Sequence, residues 1–283
     1  MKKIVALTLT LAMAFSMVAC GAKTEEAPAA TEEAVVETTT EEVAAEETTD
    51  AETEATADAE TAATADVKSE GVMTYEEYAA AELDTEVVVE TYVQAKQSWW
   101  EDKATVYTQD KDGAYFLYEL ACSEEDYAKL VPGTKIKVTG YKGEWAGEVE
   151  IMDGTFEILE GSYIAEAEDM TALLASEELI NHQNKFVAFK GMTVEASKDA
   201  EGNDVAFLYN WDGSGEDGND LYFNVSLDGQ TYTFTVESYL CDNTTDVYAA
   251  VKNLQIGDVV DMEGFLYWYE GVNPHITSLT VVE

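Results

Sequence analysis

The chain has no arginine: all 15 of its basic residues are lysines, set against 58 aspartates and glutamates. Among its 283 residues there are two histidines, His182 and His275, three prolines and three cysteines. Each scarcity excludes something. Without arginine the best bidentate donor to phosphates and base edges is missing. The phosphate neutralisation that drives nucleic-acid binding then falls to a few lysines. Beyond Cys20, only Cys122 and Cys241 remain, too few for a disulfide framework. They read either as two small buried hydrophobes or as a single bridge. The histidines sit in no metal or triad spacing, and there is no nucleophile elbow, phosphate-cradling glycine loop or paired-cysteine zinc motif. Carboxylates are so abundant that singling out an acid–base pair for glycoside hydrolysis would be unselective. Nothing in the sequence points to an enzyme.

What is abundant is negative charge, with a formal net charge of −43. Residues 67–283 alone carry 43 acids against 12 lysines, an excess of 31 negative charges. Such a surface repels a polyanion at long range, so nucleic acid is disfavoured and the expected partners are neutral glycans, cationic peptides, metal ions or other proteins.

The N-terminus sets an expected address. Lys2 and Lys3 precede an apolar run from Ile4 to Val18, too short to span a bilayer and flanked as in a signal peptide. Met17-Val18-Ala19-Cys20-Gly21 resembles the lipobox of bacterial lipoproteins. That resemblance implies cleavage after residue 19, a diacylglycerol on the Cys20 thiol and a lipid-anchored protein on the outer face of the cell membrane. The alternative is an ordinary secretory peptide with Cys20 an incidental thiol. Residues 20–66 then read as the lipidated cysteine and a tether of Ala, Thr and Glu. It lacks aromatics and is too polar to offset its ordering entropy, so a disordered, self-repelling spacer is expected.

The rest of the chain repeats itself. Gly133-Thr134-Lys135-Ile136-Lys137-Val138-Thr139-Gly140-Tyr141 echoes Gly257-Asp258-Val259-Val260-Asp261-Met262-Glu263-Gly264-Phe265, with Cys122 and Cys241 upstream in comparable contexts. Two copies of one unit, 67–162 and 163–283, are expected. In the first, Thr74-Tyr75-Glu76-Glu77 is a capping box, and Val87, Val89, Thr91 and Val93 alternate as a strand. Strands near 103–109 and 114–121 flank an Asp112-Gly113 turn. Ser123 caps a short helix ended by Pro132-Gly133, and strands over 134–141 and 148–159 complete the unit. Three strands, a helix and two strands is the order of an OB barrel. The second copy repeats the plan with a strand over 205–210 that makes one hairpin more, and with a helix starting at Ser176. The expected fold class is therefore mostly β: two tandem OB-like barrels of five to six strands with short helices, after a disordered tether. Gln97-Ser98-Trp99-Trp100, Ala121-Cys122-Ser123-Glu124-Glu125-Asp126-Tyr127 and Gly264-Phe265-Leu266-Tyr267-Trp268-Tyr269 are similar to segments of tandem OB-fold lipoproteins of anaerobic Gram-positive bacteria. The likeness implies the fold and the address, and no activity.

Two regions stand out as candidate sites. OB barrels bind ligands on the face of strands two and three, between the loops joining strands one to two and four to five. In the first copy those loops carry Trp99, Trp100 and Trp145, with Tyr107 and either Tyr115 or Tyr118 on the face. Such aromatics stack on planar rings or clasp apolar side chains, unless they plug the barrel. The loop from Asp212 to Asp220 gathers Asp212, Glu216, Asp217 and Asp220 among glycines. It either holds Ca²⁺ or is a solvated hairpin loop. The function expected from these features is a lipid-anchored, non-catalytic binding module for a glycan, peptide or protein. The alternatives are a structural envelope protein docked on another protein and, least favoured, single-stranded nucleic-acid binding.

Overall fold

The computed structural model describes residues 68–282. The expected signal peptide, Cys20 and the acidic tether lie outside the described residues.

A short helix, α1 (Tyr75–Ala80), opens the described chain with the capping box in place: the Thr74 hydroxyl accepts from the Glu77 backbone, and the Glu77 carboxylate accepts from the Thr74 backbone. Five strands follow: β1 (Glu86–Lys96), β2 (Lys103–Gln109), β3 (Ala114–Ala121), β4 (Thr134–Trp145) and β5 (Glu148–Ser162), with α2 (Glu124–Tyr127) between β3 and β4. They close in the order β1-β2-β3-β5-β4, with β4 returning to β1. Only the β3–β5 junction of this barrel is parallel. Period-two burial supplies the core, with Val87, Val89 and Val93 of β1 meeting Val106, Leu117, Ile136, Val138 and Ile151. Cys122 closes one end of this core, whereas Cys241 sits in the other barrel's core, and both are free thiols.

The second barrel repeats the plan strand for strand: β6 (Phe186–Glu195), β7 (Leu221–Leu227), β8 (Gln230–Val236), β9 (Val259–Phe265) and β10 (His275–Val282), with α3 (Asp246–Lys252) between β8 and β9. It closes as β6-β7-β8-β10-β9 and back to β6, again with one parallel junction, between β8 and β10. The chain therefore carries two tandem OB-type barrels of five strands each.

The repeated glycines mark matching geometry. Gly133 and Gly257, ahead of the fourth strand of each barrel, have φ of +90° and +94°, a region open to glycine. Gly140 and Gly264 lie where the fourth strand presses on the fifth. A Cβ would stand 2.8 Å from the Met152 carbonyl oxygen at Gly140, and 2.2 Å from the His275 carbonyl oxygen at Gly264. At both glycines the register of the fourth and fifth strands shifts.

The second copy departs from expectation in two places. The single strand expected over 205–210 is two short pieces, Asp204–Val205 paired with Ser197–Lys198, and Leu208–Tyr209 paired with the start of β7. Between them Ala206 and Phe207 pack against the barrel core, which takes that stretch off any ladder. The helix expected from Ser176 is a 3₁₀ segment, Glu177–His182.

Replacing Gly264 with Ala should force β9 from the backbone of β10. We expect a loss of at least about 2 kcal/mol, the range of core overpacking, read as a lower urea midpoint. A shift under about 0.5 kcal/mol, typical of innocuous surface changes, would show that the strands do not press together here.

Candidate functional site

The face formed by β2 and β3, where the first barrel was expected to meet a ligand, is covered by the second barrel. Tyr107 of β2 is fully buried; its ring stacks on Phe265 at 4.4 Å and its hydroxyl lies 2.6 Å from His275 Nδ1. Phe116 of β3 joins them in a small core shared by both barrels. His275 in turn stacks on Tyr267 at 4.2 Å. Around this centre polar groups cross the junction. Gln183 donates to the Gly147 carbonyl and accepts from the Val149 amide, Asn184 donates to the Val149 carbonyl, and the Glu148 carboxylate accepts from the Trp268 amide at 2.8 Å.

The same junction fixes the turn between β4 and β5. Trp145 pairs with Glu148 across Ala146 and Gly147, whose φ values of +51° and +94° suit a two-residue type I′ turn. The Glu270 amide donates to the Ala146 carbonyl. Trp145 is thus held at the seam on a turn docked to the other barrel.

Beside the seam lies a cleft of about 610 Å³. Tyr118 and Trp145 wall it from the first barrel, and Trp211, Tyr222 and Tyr269 wall it from the second. Four of these rings are largely exposed: Trp211 75%, Trp145 63%, Tyr269 50% and Tyr118 41%. The floor is polar, made of Gln97, Asp220, Thr235, Glu237, Asn273 and His275. No lysine lines it. Gln97 and Tyr118 also border an adjoining recess that holds Trp100 and Tyr239.

The floor carries unusual protonation. Burial, then the nearby Asp220, raises the Glu237 carboxyl to about 7. It accepts from Gln97 Nε2 at 3.0 Å, a bond that joins the barrels. Burial also lifts Glu150 to about 7, and lifts Glu148 well above the usual carboxylate range. One Glu148 oxygen has no hydrogen-bond partner. Burial pushes His275 down to about 3, so its imidazole is neutral.

The residues expected from sequence are dispersed. Trp145 and Tyr118 line the cleft, and Trp100, 70% exposed, stands in the adjoining recess. Trp99 is half-buried and donates to the Cys122 carbonyl. Tyr107 is sealed in the seam. Tyr115 is buried against Tyr75 and Tyr78 at the α1 end of the barrel. The calcium loop does not converge. Asp212 accepts from the Ser214 amide, and Asp217 pairs with Lys252. Asp220 binds the Ser238 amide and hydroxyl, while the Glu216 amide donates to Asn219. Among the described residues no three His, Cys, Asp or Glu side chains are grouped to hold a metal. Local bonds tie Asp212, Asp217 and Asp220 to separate partners, so the four acids do not converge. Sequence reasoning missed Trp211, Tyr222, Glu237, Tyr267, Tyr269 and His275. A signal existed in the run Phe265-Leu266-Tyr267-Trp268-Tyr269, read only as a resemblance, and in Trp211, which was overshadowed by the acids after it.

The raised carboxyl of Glu237 has a consequence for stability. The folded chain keeps this proton between about pH 4.5, the group's ordinary value, and about pH 7, while the unfolded chain releases it. Its contribution is therefore intact below the lower value and is lost as pH rises through the upper one. Glu237→Gln should be more stable than the parent at about pH 8.5 by about 2–3 kcal/mol, with the gap closing near pH 5. Urea unfolding at both pH values checks this; an equal gap at both would place Glu237 in a wetter site. The opposing titration of His275 is common to both proteins and cancels.

No protein-family model and no curated protein matches the chain. Among solved structures, the tetrameric p202 HIN2 is similar at a TM-score of 0.30 and 11% identity, over 71% of this chain and 96% of that one. A murine DNA-binding protein bound with double-stranded DNA gives a TM-score of 0.31 at 10% identity, over 69% and 95%. A replication protein A heterotrimer bound to single-stranded DNA gives 0.31 at 11%, over 75% and 52%. Structures described as DNA-bound count against two expectations drawn from composition: a lipid-anchored binder of a neutral or cationic glycan, peptide or protein, and the disfavouring of nucleic acid. Both are corrected. The physical fault lies in judging a local contact by whole-chain charge, which governs long-range steering and not the stacking of a base. At these TM-scores the likeness itself assigns this chain no ligand.

Proposed function

We propose that the protein binds single-stranded nucleic acid by its bases, held in the cleft between the barrels with the phosphates turned to solvent. The observation that carries this is the set of exposed rings, Tyr118, Trp145, Trp211 and Tyr269, gathered around one cleft and contributed by both barrels. Each ring offers a face on which a base can stack, worth about 1–3 kcal/mol per base. The fixed turn under Trp145 supports the reading, because a pre-positioned ring loses little freedom on binding. The role is one of binding, not catalysis.

This mode differs from ordinary nucleic-acid binding in its response to salt. Where lysines neutralise phosphates, affinity falls steeply with salt. Here no lysine lines the cleft, and added salt screens repulsion between the acidic surface and the phosphates. Affinity for a short unstructured oligonucleotide, followed by tryptophan fluorescence, is expected to stay flat or rise between about 50 and 200 mM salt. Trp145→Ala and Trp211→Ala should each weaken it by about 5- to 150-fold. Absence of binding at any salt would overturn the reading. A steep fall with salt, unaffected by either substitution, would place binding on surface lysines instead.

A further inference from the structure

We infer that the cleft selects bases bearing an exocyclic amino group beside a ring acceptor, cytosine above all, over uracil and thymine. The inference rests on the base-binding reading and follows from which hydrogen-bonding atoms on the floor are already used.

Several of the lining's polar donors are used within the protein. Gln97 gives one of its two amide hydrogens to Glu237. The Thr235 hydroxyl donates to Asn273 Oδ1 at 2.8 Å. The Tyr107 hydroxyl and His275 Nδ1 occupy each other. What remains toward the cleft is rich in acceptors. Asp220 spends Oδ1 on the Ser238 amide and hydroxyl, at 2.8 and 2.6 Å, so Oδ2 is its remaining acceptor. Glu237 accepts from Gln97 on Oε2 and, at a long 3.3 Å, from the Tyr239 amide on Oε1, and the Leu240 amide also favours its charged form. The donors that balance these include the Asn273 amide, whose oxygen is held by Thr235 and whose nitrogen is thereby left to donate.

Two carboxylates and neutral amide donors on one lining make a template. Cytosine offers an amino group to a carboxylate, and its adjacent ring nitrogen and carbonyl accept from an amide. Carboxylate acceptance from the cytosine amine is an established pairing. Uracil and thymine flank their one ring N–H with two carbonyls, whose lone pairs would face the carboxylates. No cation among the lining residues offsets that repulsion. Comparing cytosine with uracil holds ring size constant, so a difference reads the edge and not the stack.

The test uses oligodeoxycytidine and oligodeoxyuridine of equal length, titrated into the purified protein at about pH 8, above the value near 7 at which Glu237 ionises. Tighter binding of the cytidine oligomer by about tenfold or more is expected, the scale of one good base-edge contact. In Asp220→Asn the amide oxygen still accepts from Ser238, and in Glu237→Gln it still accepts from Gln97; in these and the double variant the ratio should fall stepwise towards unity. Uridine affinity should rise or hold, a change that misfolding cannot produce. Equal affinities in the parent, or an unchanged ratio in the double variant, would overturn this inference alone. Failure of both oligomers to bind would overturn the base-binding reading with it.

Discussion

Tyr107 belongs to the first barrel by sequence and to the second by contact: its ring stacks on Phe265 and its hydroxyl meets His275. The pairing is demanding. His275 is buried deeply enough that its imidazole is neutral, and a buried ring nitrogen without a partner would cost about 1–3 kcal/mol. Satisfying it from the other barrel makes the two barrels one hydrogen-bonded body. Glu148, Gln183 and Asn184 extend that seam. The cleft beside it exists because the seam does: its walls come from opposite barrels and its floor includes His275 itself. Any slip at Tyr107 would change the spacing of the aromatic walls.

The same seam explains how so acidic a protein can hold buried carboxylates. Glu237 and Glu150 are raised towards neutrality chiefly by burial, so near neutral pH the interior bears less charge than composition implies. Most of the other described acids lie on the surface, where solvent and salt screen them, while buried Asp110 and Glu90 pair with Lys68 and Lys135. Whole-chain charge then describes how the molecule repels or steers partners at a distance, while the cleft answers to local chemistry: ring faces, a few acceptors and neutral amide donors. A ligand recognised there need not be attracted from afar.

Much of the fold was legible in the sequence because its signals are local. The glycines at 133, 140, 257 and 264 could be read as a repeat, and the structure gives each pair one mechanical reason, a left-handed backbone or a close strand crossing. The capping box at Thr74 and the Asp112-Gly113 turn likewise act within a few residues. The site was less legible. An aromatic pointing outward from β2 looks the same in sequence whether it awaits a ligand or a second barrel, so Tyr107 read as a ligand contact. Trp100 was placed correctly on the loop between β1 and β2, and Trp145, expected on a loop, ends β4 at the turn; the partners across the cleft come more than sixty residues later, and no local pattern pairs them. The acidic loop misled differently: Asp212 accepts from its own turn amide, Asp217 pairs with Lys252 and Asp220 reaches Ser238 outside the loop, which spacing alone does not reveal.

Two copies of one topology have ended in unlike roles. In the first barrel the β2–β3 face is spent on the seam, through Tyr107 and Phe116. In the second the corresponding strands, β7 and β8, carry Tyr222, Asn224 and Thr233 beside Trp211, on a face that remains open and continues from the cleft. The extra hairpin between β6 and β7 is what brings Trp211 to that edge. Neither barrel alone could form the site. The first lacks a free face, and the second lacks the opposing wall that Trp145 and Tyr118 supply. Duplication thus achieves more than doubling a surface: one copy serves as the scaffold that turns the other's open face into a cleft.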